Sequence, residues 1–224
     1  MWVVSTDIAT EEYRNCRAIL SIDERARADR FAFELDRTRF VASHGQLRMK
    51  LGEYCDTRPE NLQFGAGTHG KPYLADPVTP LQFNLSHSGS LAVIAVTHGS
   101  PCGVDIEIER SKINTEAIAG RFFCVSENAW LRSLPAPKGR HGFFRLWAVK
   151  EAILKAAGKG LSQPLSSIDT TKLMLGTSAS ISFPDSGSRS RAFWVKELNV
   201  EGGYTGAVAL ETVAVDSPRV QLFR

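Results

Sequence analysis

The chain has 224 residues, 43% of them hydrophobic, enough to bury a sizeable core as one large domain or two small ones. Its 27 basic and 24 acidic residues leave a formal charge of +3, too mild to argue for nucleic acid and compatible with an acidic partner or a phosphorylated ligand. Cysteines stand singly at Cys16, Cys55, Cys102 and Cys124, without CxxC or Cys/His ligand spacing, so neither a zinc site nor a disulfide framework is expected.

In chain order, the opening MWVVSTDIATEEYR lacks a basic leader followed by an apolar run. The longest nearly apolar run, LAVIAV at 91–96, is far too short to span a bilayer. A cytoplasmic protein with reduced thiols and no membrane partner is the expectation. Periodicity then predicts one helix near 22–31 and a second starting around Asp36. In the second, Phe40, His44, Leu47, Leu51 and Tyr54 recur at spacings of three and four, as one buried stripe requires. LQF at 62–64, LQFNL at 81–85 and LAVIAVT at 91–97 read as strands between Gly/Pro/Ser clusters.

The second hundred residues repeat the order. A helical region over 126–157, broken by PAPKGR, precedes short strands at KLML, ASISF, AFWVKEL and YTGAVALETV. SGSLAVIAV and GGYTGAVAL each give a small polar turn and then a buried strand. With the repeated helix-then-sheet order, that similarity predicts an α+β fold of two similar halves, 1–100 and 101–224, hinged at THGSPCG (97–103).

Directly after the hinge, GVDIEIER alternates Val104, Ile106 and Ile108 with Asp105, Glu107 and Glu109, the period of a strand with one buried face. Side chains at i and i+2 stand about 6.5–7 Å apart on one side, where two carboxylates can converge on a hard cation such as Mg²⁺. The plain alternative is an edge strand whose acidic residues face water. In WAVKEAILKAAGKGL (147–161), Trp147, Glu151 and Lys155 fall on one helix face at i, i+4 and i+8. Leu146, Val149 and Ile153 lie to another side, able to serve the core. A surface Glu–Lys pair beside a core Trp explains the same spacing at about 0.2–0.5 kcal/mol. Lys150 cannot share the face of Glu151, so it is expected to point away from any cleft, with its loss costing little.

Three stretches are phosphate candidates. FNLSHSGS puts Ser86, His87 and Ser88 in a tight connection between strands, where backbone amides and His87 can meet an anion, although a lone His there is also an ordinary turn residue. Lys71 stands in a Gly-Pro turn and reads equally as a solvated charge. Arg25, Arg27, Arg30, Arg37 and Arg39 lie on the early helices, and such planar forks suit a phosphate dianion as well as they suit a wet surface. Neither GxxxxGK[ST] nor a strand-turn-helix GxGxxG is present, so a nucleoside triphosphate loop is unsupported.

FNLSHSGSLAVIAV, GVDIEIER and FRLWAVKEAILKAAGKGLSQPL, in this order and at these separations, resemble the phosphopantetheinyl transferase superfamily. The likeness is to its larger, surfactin-synthetase-activating type and covers about 22–165. It implies two pseudo-symmetric α+β halves, each a small antiparallel sheet packed with helices, with the active site between them. The implied activity moves phosphopantetheine from coenzyme A to a serine hydroxyl of an apo carrier protein or carrier domain, releasing adenosine 3',5'-bisphosphate.

By motif, the resemblance implies that Asp105, Glu107 and Glu151 hold Mg²⁺ and that Lys155 contacts the reacting phosphate. Ser86 and His87 would bind coenzyme A phosphates, and Lys71 would lie beside the nucleotide. Arg27 and Arg30 would face the ribose phosphate, although this chain has RARADR, with Asp29 inside it, where the family usually shows lysines. Glu151, directly or through a water, is the candidate base for the weakly acidic serine. The larger family type is commonly monomeric. A non-catalytic module that binds coenzyme A or a carrier protein on the same fold is the competing expectation. The motifs do not tell which carrier is served.

Overall fold

Capping and alternation partition the chain into two helix-and-sheet assemblies in a computed structural model, which describes residues 1–160, 163–184, 190–212 and 218–223. The first runs β1 (Trp2–Ser5), α1 (Thr10–Ala18), α2 (Ile22–Asp29), α3 (Glu34–Cys55), β2 (Gln63–Ala66), β3 (Pro72–Asp76), β4 (Leu81–Ser88) and β5 (Leu91–His98). The second runs β6 (Cys102–Ile108), α4 (Thr115–Phe122), α5 (Val125–Ser133), α6 (Ala136–Ala157), β7 (Ser178–Pro184), β8 (Ser190–Leu198) and β9 (Tyr204–Glu211). Antiparallel sheets of order β1-β5-β4 and β6-β9-β8-β7, with a β2-β3 ladder beside the first, make this the expected α+β fold.

The layers follow from which face of each strand is apolar. Leu47 and Leu51 of α3 pack on Phe83 and Ile94 of the first sheet. On its other face, Val93 and Ala95 meet Val104, Ile106, Val208 and Leu210 of the second sheet in one shared cluster. Ala207 and Ala209 face the opposite way, against Ala148, Ala152 and Ala156 of α6. The two sheets therefore lie face to face between α3 and α6, and burying Ile94 and Ile106, each 1% exposed or less, contributes roughly 1.5–3 kcal/mol apiece. Both central strands follow a glycine turn that needs a positive φ, Gly89 at 55° before β5 and Gly203 at 76° before β9.

Several expectations need correction. The helical region does break at PAPKGR, but only at its first residue: Pro135 caps α6 and Pro137 sits in its first turn, where a missing amide proton costs nothing. The rest of the segment is helical, and α4 precedes the expected helical start. KLML is not a strand but includes a 3₁₀ turn, Thr171–Leu173, because Leu173 is fully buried while Leu175 is 99% exposed. Tyr54 leaves the α3 stripe and is exposed, its ring edge-on to Trp2 at 5.4 Å. β1, α1 and β3 were not read from the sequence. Val213, the last residue of the YTGAVALETV strand, and Leu161, the last of the 147–161 stretch, lie outside the described residues. All four cysteines are free thiols, and among the described residues no helix is long and apolar enough to cross a membrane.

Candidate active site

β6 carries Asp105 and Glu107 on the face turned to α6, and α6 runs over that strand with Trp147, Glu151 and Lys155 one turn apart. Close approach depends on Gly103, where a Cβ would collide with the Ala152 carbonyl and the Ala156 amide. The result is a cleft of about 420 Å³ lined by Leu85, Ser86, His87, Asp105, Glu107, Trp147, Glu151 and Lys155. Asp105 is 4% exposed, which sets aside the reading of its strand as a wet edge.

The carboxylates are held from one side. Asp105 Oδ1 accepts from the Ser86 hydroxyl at 2.9 Å and from Lys155 Nζ at 2.6 Å. Its other oxygen, Oδ2, is buried with no hydrogen-bond partner. Glu107 Oε2 accepts from the Ser88 hydroxyl at 3.0 Å. Burial raises the pKa of Asp105, against the pull of Lys155. Burial and then the Asp105 charge raise Glu107 and Glu151 as well. Three carboxylates with one ammonium among them are short of positive charge, and the unpartnered Oδ2 of Asp105 is an acceptor that a cation in the cleft would satisfy. An all-oxygen set of this kind suits Mg²⁺ rather than a softer metal. Glu109, the third acidic residue of the alternation, instead pairs with His141 at 2.6 Å.

His87 sits at the rim, where partial desolvation and then the charges of His44, Lys155, Arg27 and Arg39 lower its pKa. Arg27 lies over the Phe40 ring at 5.1 Å, which fixes its guanidinium near that rim. His44, read from sequence as part of an apolar stripe, stacks on Phe40 at 4.0 Å and turns its Nδ1 to Glu24. Arg39 stands near the same rim, in keeping with its reading as a phosphate candidate, whereas His44 was missed there because helical spacing marks a face without saying what lies opposite. Arg30 caps the end of α2, exposed, and makes none of these contacts. Asp29 is taken up by Arg17 at 2.9 Å and so does not cancel Arg27.

Ser86, His87 and Ser88 close β4 rather than forming the tight connection expected, and three site candidates are held by contacts the sequence did not show. Ser86 lines the cleft, but its hydroxyl proton goes to Asp105. Lys71 Nζ donates to the Cys102 carbonyl at 2.9 Å and the Ala156 carbonyl at 3.2 Å, tying the β3 side to β6 and α6. Lys150 does point away from the cleft, yet it is fully buried rather than on the surface. Its ammonium pairs with Glu127 at 2.9 Å and donates to the Leu165 and Ile168 carbonyls, because residues 164–173 roof that side of α6. Cys124, Glu127 and Asp169 also cluster, but Glu127 is occupied by Lys150, the Cys124 amide and Thr170.

Residues 101–209 match a family model described as the 4'-phosphopantetheinyl transferase superfamily, and residues 7–99 match one described as 4'-phosphopantetheinyl transferase, N-terminal. The chain is 41% identical over 165 residues to the 4'-phosphopantetheinyl transferase HetI of Nostoc sp. (strain PCC 7120), covering 73% of this chain and 70% of the relative. It is 37% identical over 177 residues to the 4'-phosphopantetheinyl transferase psf-1 of Bacillus pumilus, covering 79% and 74%. With the 4'-phosphopantetheinyl transferase Sfp of Bacillus subtilis (strain 168) it shares 31% identity over 201 residues, covering 90% and 86%.

Proposed function

The chain belongs to the 4'-phosphopantetheinyl transferase superfamily, and from that premise we propose that it moves phosphopantetheine from coenzyme A to a serine hydroxyl of an apo carrier protein, dependent on Mg²⁺. The observation that carries the reading is the convergence of Asp105, Glu107, Glu151 and Lys155 in one cleft, with Asp105 Oδ2 buried and unpartnered.

Asp105, Glu107 and Glu151 would hold the cation, which when bound offsets the charge of the pyrophosphate. Lys155 stands on the same face, its ammonium placed to meet charge growing on the phosphate oxygens as the bond breaks. The serine oxygen attacks the phosphorus that carries pantetheine, the bridging phosphorus–oxygen bond breaks, and adenosine 3',5'-bisphosphate departs. The proton of that serine needs an acceptor, and Glu151 lines the cleft with a pKa raised by burial and then by the Asp105 charge. His87, with Ser86 beside it, and the rim arginines Arg27 and Arg39 receive the phosphates of coenzyme A. Trp147, stacked on Phe143 at 5.8 Å, gives the cleft a rigid apolar wall that limits water. Free thiols throughout fit a cytoplasmic setting.

Mass spectrometry of an apo carrier protein incubated with this protein, coenzyme A and Mg²⁺ tests the reading. Gain of the phosphopantetheine mass on the carrier is expected. Coenzyme A binding with an unchanged carrier mass means a binding module instead.

A further inference from the structure

The first sheet and the edge of the second are joined by side chains instead of a backbone ladder. Asn84, Ser86 and Ser88 alternate along β4 on one face, and each accepts a hydrogen bond from the outward amide of one β6 residue. Asn84 Oδ1 takes the Val104 amide at 2.8 Å, Ser86 Oγ the Ile106 amide at 3.4 Å, and Ser88 Oγ the Ile108 amide at 3.1 Å. An edge strand's orphan amides are thereby satisfied without pairing β4 to β6. Beyond Ser88, the Tyr204 hydroxyl accepts the Ser90 amide at 2.9 Å and fills the space over Gly89, so the turn is pinned to the second sheet too.

A serine hydroxyl has one proton and two lone pairs. At Ser88 the Ile108 amide fixes the rotor by taking a lone pair, and the proton is left aimed at Glu107 Oε2, 3.0 Å away. Ser86 repeats the arrangement two residues earlier: it accepts from Ile106 and Lys155 and gives its proton to Asp105 Oδ1. In both cases a serine engages a single carboxylate oxygen and reads its own position from the backbone next to that carboxylate. Ser88 is 6% exposed, and it is not among the residues that line the cleft.

We infer that Ser88 is a positioning residue, which orients the Glu107 carboxylate toward the cation shared with Asp105 and Glu151. The inference rests on the proposed transferase reading for the identity of that cation. A hydrogen-bonded partner behind a metal-binding group sets its direction and basicity, and losing one typically weakens metal affinity 10–100-fold.

The test compares Ser88→Ala and Ser88→Thr with the unaltered enzyme in three measurements: Mg²⁺ binding by calorimetry, the Mg²⁺ concentration giving half-maximal transfer, and urea unfolding. Ser88→Ala is expected to weaken Mg²⁺ binding about tenfold or more and to raise the half-maximal concentration in parallel, with kcat at saturating Mg²⁺ largely kept. Ser88→Thr, which retains the hydroxyl, is expected to restore both. An alanine variant with unchanged Mg²⁺ affinity, whether or not its stability falls, overturns the inference, as does a threonine variant no better than alanine. If the unaltered enzyme binds Mg²⁺ but transfers nothing, the transferase reading fails while calorimetry still decides Ser88.

Discussion

Replacing Lys150 by Ala should unfold the protein readily while sparing the chemistry. Lys150 and Glu127 are both 0% exposed, and their 2.9 Å contact joins α6 to α5. The ammonium also satisfies the carbonyls of Leu165 and Ile168. Truncation strands a buried carboxylate that retains the Cys124 amide at 2.9 Å and the Thr170 amide and hydroxyl at 2.9 and 2.5 Å, but no counter-charge. Removing one member of such a pair costs about 3–5 kcal/mol. At about 2–4 °C per kcal/mol for a chain of this length, Tm should drop roughly 6–20 °C. Urea unfolding gives the free energy directly, and a Lys150→Met/Glu127→Gln double variant should recover much of the loss, since both charges leave together. The kcat of the folded fraction should stay near that of the unaltered enzyme, because Nζ points away from the cleft. A loss below about 0.5 kcal/mol, the size of an ordinary surface change, would refute the reasoning.

Acid should loosen the first assembly at Glu24. Burial by itself raises that carboxyl, but hydrogen bonds from His44, the Ser21 amide and Arg48 outweigh it and hold the pKa at about 2 against an ordinary 4.5. The folded value is depressed, so its stabilisation is complete above pH 4.5 and lost as pH falls toward 2, about 3 kcal/mol in all at 1.36 kcal/mol per unit. Glu24→Gln should flatten that part of the stability–pH curve and leave Arg48, 1% exposed, uncompensated; an unchanged curve argues against the pairing. Dephospho-coenzyme A should bind at least about tenfold more weakly than coenzyme A, and Arg27→Ala should narrow that difference far more than Arg30→Ala. Equal affinities for the two donors place Arg27 on a plain solvated face.

The heart of the site was legible because it is local. Alternation alone put Asp105 and Glu107 on one side of β6, and helical spacing put Trp147, Glu151 and Lys155 on one face of α6. What sequence could not supply was the partner across space. A helical wheel gives the direction of Lys150 but not that residues 164–173 lie over it, so a buried ion pair read as a surface charge. Ser88 looked like a turn residue because its partner Glu107 is 19 positions away on another sheet. His44 carried the spacing of a core residue, but it is only partly buried, stacking on Phe40 and turning its Nδ1 to Glu24. KLML has strand-like composition, but one buried leucine and one exposed leucine are better met by a 3₁₀ turn.

Turnover of Glu151→Ala on an apo carrier protein, with coenzyme A and Mg²⁺ saturating and the fold verified, tests the central claim most directly. That side chain is proposed both to hold the cation and to take the serine proton, so kcat should fall by about 10²–10⁴-fold, with a smaller change in coenzyme A affinity. Turnover within twofold of the unaltered enzyme contradicts the assignment of this cleft as the place where the pyrophosphate is split.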